Sequence, residues 1–107
     1  MKYLIDFLGL KKPVTIRVLP KHKKSTDAIY ESEYNSKGKL CGHRITVYAK
    51  DTYRDFDTLI AHELIHAWQE EKGLTEIHGK RFRKMAAKMQ SQFPQFHELY
   101  IPEVDKP

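Results

Sequence analysis

The chain has 107 residues, about one domain's worth, of which 40% are hydrophobic and 31% charged. That balance suits a globular fold with a modest core and argues against wholesale disorder. The formal net charge of +5 favours anionic partners such as nucleic acid, and the single cysteine, Cys41, excludes an intrachain disulfide and a Cys-rich structural zinc site.

Residues 2–9 place Leu4, Phe7 and Leu8 on one side of a short helix, with a strand as the alternative at this length. Asp6 interrupts the apolar run and Lys11-Lys12-Pro13 ends it, so the segment is too short for a signal-peptide core or a bilayer span. No other apolar stretch is long enough. The expected setting is therefore the cytoplasm, or the nucleus if the source has one, with no membrane partner.

Val14-Thr15-Ile16-Arg17-Val18-Leu19 alternates apolar and polar residues and is rich in β-branched side chains, which predicts a strand ending at Pro20. Lys21-His22-Lys23-Lys24-Ser25 reads as a solvated basic turn. A second strand is expected over 28–34, the turn signal Asn35-Ser36-Lys37-Gly38 follows, and a third strand spans 43–49. In that strand Ile45, Val47 and Ala49 share one face, and Arg44, Thr46 and Tyr48 the other. The last two strands are expected to pair as a hairpin, and Cys41 reads as a small packing residue at the start of the third.

After Lys50 the hydrophobic period changes. Asp55 or Asp57 is a candidate N-cap for a helix running to about Lys72, with Gly73 as its stop. A second helix is expected from near His78-Gly79 to about Gln92, with Phe82, Met85, Ala86, Met89 and Phe93 as its core stripe and Pro94 as its end. In the tail, from about 95 to 107, Phe96, Leu99, Tyr100 and Ile101 are positioned to dock onto the body. The predicted fold is α+β: a small antiparallel sheet of about three strands packed with two later helices, all in one domain over 1–107.

The first long helix carries His62-Glu63-Leu64-Ile65-His66. Histidines four apart lie about 40° apart around a helix axis, one turn above each other, so both imidazoles can meet one metal ion. In this HExxH pattern the histidines bind zinc, which acidifies a water molecule, and the glutamate is the general base. Leu59, Ile60, Leu64, Ile65 and Trp68 supply packing that would hold the helix rigid. A hydrolytic zinc site needs three protein ligands and an open fourth position. His22, His43, His78 and His97 are candidates for the third, and Glu70, Glu71 and Glu76 are nearby carboxylates. His78 is the best placed, because a chain reversal at Gly73 would open the next helix beside the first.

His62-Glu63-Leu64-Ile65-His66-Ala67-Trp68 followed by His78-Gly79-Lys80-Arg81-Phe82 resembles the SprT-like metalloprotease family, which includes the Spartan proteases. The resemblance covers roughly residues 14–92. It implies a zincin-like minimal core with one zinc ion held by His62, His66 and His78, and Glu63 as the catalytic acid/base. Many members continue into a Cys-rich zinc ribbon or into partner-binding segments, so this chain reads as a bare catalytic core. Members of the family degrade proteins crosslinked to DNA, which implies a protein or peptide substrate associated with DNA.

Proteases of this architecture bind an extended peptide along a sheet edge, and Arg44, Ile45, Thr46 and Val47 form the candidate edge. Lys80, Lys84 and Lys88, spaced i, i+4 and i+8 with Arg81 nearby, are the candidate nucleic-acid contacts. No aromatic-interleaved basic surface is evident along the sequence. Tyr53, Tyr100 and Arg44 are candidate oxyanion stabilisers. Two other readings fit the same residues: a non-catalytic zinc-stabilised module that binds nucleic acid or protein, and a zinc hydrolase acting on a bond other than a peptide.

Overall fold

A computed structural model describes residues 2–20, 28–48, 55–74, 76–96, 98–102 and 105. The basic segment Lys21–Ser25 with His22, and the candidates Ala49, Tyr53 and His97, lie outside the described residues. The elements run in the order α1 (Lys2–Leu8), β1 (Val14–Leu19), β2 (Ala28–Tyr34), β3 (Leu40–Tyr48), α2 (Phe56–Lys72) and α3 (Lys80–Gln92). The N-terminal ambiguity resolves to helix, with Leu4 and Leu8 buried.

The hairpin forms as its turn chemistry dictates. Asn35 Oδ1 accepts from the backbone N–H of Lys37 and of Lys39, and Gly38 takes a φ of 75° that a side chain would strain. β2 and β3 therefore pair antiparallel.

The sheet as a whole is mixed, which corrects the expected antiparallel one. β1 pairs with β3 in parallel, from Val14↔His43 to Leu19↔Tyr48, and the strand order is β1-β3-β2. Alternation of apolar and polar residues carries no strand polarity, so direction could not be read from it. The same order corrects the proposed substrate edge. Arg44, Ile45, Thr46 and Val47 lie in β3, the central strand, whose backbone is engaged by a neighbour on each side. Ile45 and Val47 are fully buried because β3 is covered, and the edges belong to β1 and β2. Cys41 is exposed and lies outside the buried core, which corrects its reading as a packing residue.

α2 is enclosed on most of its circumference, packed on β2 and β3 with α1 and α3 against it. Leu59, Ile60, Leu64 and Ile65 meet Ile45 and Val47 from the sheet, Leu4 and Leu8 from α1, and Phe82, Ala86 and Met89 from α3 in one cluster. Phe96 and Leu99 dock the segment after α3 into the same cluster. α3 is amphipathic, with that apolar stripe inward and Lys80, Arg81, Lys84 and Lys88 exposed.

Candidate metal centre

Both ends of α2 are closed by local hydrogen bonds, which fixes the helix on which the first two histidines ride. At its start Asp55 Oδ1 accepts from Thr58 N at 2.7 Å. At its end Gly73 adopts φ 69°, Leu74 N donates to Gln69 O at 2.9 Å and Gly73 N to Glu70 O at 3.2 Å. This is a Schellman closure, and it turns the chain back on itself. Five residues later His78 stands beside α2, just ahead of the α3 N-cap Gly79. A methyl group on Gly79 would lie 2.6 Å from Glu76 Cβ, so the turn that delivers His78 leaves no room for a side chain there.

The three imidazoles converge. His62 Nε2 lies 3.3 Å from His66 Nε2 and 3.2 Å from His78 Nε2. Nitrogen donors placed tetrahedrally around one zinc ion, at a bond length of about 2.0–2.1 Å, are separated by about 3.3 Å. The observed spacings match that edge. His62, His66 and His78 are also a set of described residues able to hold a metal ion together.

Partners on the far side of two rings decide which nitrogen faces inward. Leu99 O can only accept, so His62 Nδ1 carries a proton and donates to it at 2.7 Å. Gln69 Nε2 donates to Glu76 O at 2.8 Å, which turns Gln69 Oε1 to His66 Nδ1 at 2.9 Å and makes that nitrogen a donor too. Each neutral ring then presents its Nε2 lone pair to the same point, the arrangement that outer hydrogen bonds produce around metal-ligating histidines. Phe82 packs its ring against all three, with centroids 4.8 Å from His62 and His66 and 4.9 Å from His78.

Two buried carboxylates flank the histidines. Glu63 Oε2 lies 3.7 Å from His62 Nε2, and Asp105 Oδ1 lies 4.0 Å from the same atom. Glu63 was legible in the sequence from its place beside the first histidine of the motif. Asp105, in the tail, has no such signal. Gln69 was legible only as a polar residue three positions after His66, and the Leu99 carbonyl is not legible in a sequence at all.

The chain belongs to the SprT-like family. The family model matches residues 34–101, which contain β3, α2, α3, the three histidines and Glu63. The SprT-like match starts later than the resemblance read from the sequence, leaving β1 and nearly all of β2 outside it, and it ends before Asp105. No curated protein and no solved structure matches the chain.

Other candidate residues fall elsewhere. His43 is fully buried in β3 and serves a different network: its Nε2 donates to Glu71 Oε2 at 2.7 Å, and Tyr30 OH donates to its Nδ1 at 2.6 Å. Burial, then the charge of Glu70, the neighbouring Tyr34 and the charge of Glu71, push the Tyr30 phenol well above its ordinary range, so it stays a donor. Burial pushes the Glu71 carboxyl up, but hydrogen bonds from His43 and from the Lys11 and Lys12 amides outweigh it and hold the group below the usual carboxylate range. Arg44 pairs with Glu33 at 2.8 Å on the opposite sheet face from Ile45 and Val47, and Tyr100 lies under Arg83 at 5.8 Å.

Two concavities adjoin α2. One, of about 480 Å³, is bordered by Ala28, Ile29 and Tyr30 of β2, by Glu63 and His66, and by Leu74 and Ile77. The other, of about 860 Å³, gathers Lys80, Arg81, Lys84 and Lys88 around Trp68 and Met85. The basic stripe thus acquires an aromatic neighbour from a different helix, which its own spacing did not reveal.

Proposed function

We propose that the chain is a zinc-dependent metallopeptidase with a zincin-like core, in which Glu63 is the general base. The observation that carries this reading is the convergence of three imidazole Nε2 atoms at tetrahedral spacing, with the buried Glu63 carboxylate 3.7 Å from one of them. Zinc, when bound, supplies Lewis acidity toward a scissile carbonyl and toward water. Glu63 takes a proton from the attacking water and returns it to the leaving amine as the peptide bond breaks. Leu99 O and Gln69 keep the His62 and His66 rings in the tautomer and orientation that binding needs.

The substrate reading follows the cleft. β2 is an edge strand, and its first residues border the same concavity as Glu63 and His66. An extended peptide added to β2 would run past the catalytic carboxylate, with Leu74 and the exposed Ile77 offering apolar contact. In the second groove, Lys80, Arg81, Lys84 and Lys88 are suited to phosphates and Trp68 to base stacking, which favours DNA-associated proteins as substrates.

The test is zinc per chain together with cleavage of an unfolded protein, with and without single-stranded DNA, for the parent and for Glu63→Gln. One zinc per chain is expected in both, with cleavage lowered by about 10²–10⁴-fold in the variant. Cleavage that survives Glu63→Gln would sink the mechanism. A parent that binds zinc and DNA but cleaves nothing would favour a zinc-stabilised binding module instead.

A further inference from the structure

Most polar side chains bordering the concavity between β2 and α2 already have a task. Along α2, Glu63, His66 and Glu70 follow one another at i, i+3 and i+7 and border it together. Glu63 is the base and His66 a metal donor in the reading above. Gln69 is engaged with His66 and with Glu76 O, and Tyr30 OH donates to His43 Nδ1. Glu70 is the remaining one. It is partly buried, and its Oε1 accepts from the Tyr34 hydroxyl of β2, which steadies the carboxylate and leaves its other oxygen uncommitted. Among the described residues no lysine or arginine pairs with it.

The surroundings of Glu70 are apolar. Ala28, Ile29 and Tyr30 of β2 border the concavity with Leu74 and with Ile77, which is 61% exposed. Glu70 lies one turn beyond His66, about 6 Å along the helix axis, which an extended peptide covers in about two residues. A long side chain with an apolar stem and a cationic head suits this arrangement, the stem on the apolar walls and the head on the carboxylate. An acidic side chain would meet Glu63 and Glu70, and no described lysine or arginine borders this concavity to offset them. Lys80, Arg81, Lys84 and Lys88 gather in the other one.

We infer that Glu70 is a specificity-determining residue of the cleft, selecting peptides that carry lysine or arginine within about two residues of the scissile bond. The inference rests on the peptidase reading above, and the experiment separates the two. Cut sites in an unfolded protein are mapped by mass spectrometry for the parent, Glu70→Gln and Glu70→Lys. Gln keeps an oxygen for the Tyr34 hydroxyl and removes the charge. In the parent, lysine and arginine should be enriched about tenfold at a fixed position near the cut. The enrichment should be lost in Glu70→Gln and give way to aspartate and glutamate in Glu70→Lys. Binding adds a readout that needs no turnover. In a Glu63→Gln background, fluorescence anisotropy compares a labelled extended peptide carrying a single lysine with its norleucine and glutamate counterparts. The lysine peptide should bind about tenfold more tightly than the norleucine one, with the gap narrowing at high salt. Cut sites without a basic preference in the parent, or a basic preference retained in Glu70→Lys, overturn the inference and leave the peptidase reading standing. A parent that binds zinc and cuts nothing overturns both.

Discussion

Gln69, outside the motif, constrains what His66 can do. Gln69 orients His66 by a single hydrogen bond while its amide group holds Glu76 O. Gln69→Ala should therefore weaken zinc binding by about 10–100-fold while leaving the secondary structure intact, as read by chelator competition and circular dichroism. Glu71 works away from the centre, joining α2 to β3 through His43 and to the α1–β1 connection through the Lys11 and Lys12 amides. Its folded-state pKa lies below the unfolded one, so it binds fewer protons in the folded state than in the unfolded state near that range. The stability it contributes is present above about pH 4.3, the ordinary glutamate value, and disappears as pH falls through the folded value. Denaturant melts of Glu71→Gln should accordingly show a deficit at pH 7 that narrows below about pH 4; a deficit that is independent of pH would refute the assignment.

At the level of elements, the centre is assembled where α2 and the start of α3 meet. α2 contributes two rings at one-turn spacing, the Schellman closure at Gly73 reverses the chain, and α3 places Phe82 beneath all three imidazoles. Phe82 is completely buried and belongs both to the core and to the site. Phe82→Ala should destabilise the protein by about 3–5 kcal/mol and loosen zinc binding as well. Met89→Ala, at another fully buried position two turns along α3, should cost about 2–5 kcal/mol with little effect on zinc. Equal loss of zinc affinity in both would show that Phe82 acts only through global stability.

For the molecule as a whole, ligands drawn from α2 and the segment before α3 would make metal binding a further link between elements already joined by packing and by the Gln69–Glu76 hydrogen bond. Zinc at a hundredfold excess over its dissociation constant adds about 2.7 kcal/mol to the folded state. In a domain of this size that corresponds to a rise in Tm on the order of 10–20 °C, reversed by chelation and absent in His62→Ala. Calorimetry with and without chelator checks it. No helix among the described residues is long and apolar enough to cross a membrane.

Local chemistry made much of this legible in advance. The Asp55 and Gly73 caps, the Asn35–Gly38 turn, the α3 core stripe and the His62-Glu63-Leu64-Ile65-His66 pattern all depend on residues within a few positions of one another, and each of these elements has the limits its residues dictate. His78 was the favoured third ligand because a glycine stop implies a reversal, and the reversal brings it to 3.2 Å from His62 Nε2. Strand polarity, the central position of β3, the burial of His43 against Glu71, the Trp68 groove and the approach of Asp105 to His62 were decided by tertiary structure alone. These features join residues far apart in the chain, and periodicity and spacing carry no information about which distant segments meet. The sequence by itself marked the candidate donors and the helix that aligns two of them; only the packed fold decided which strand is left open beside them and which carboxylates lie near His62.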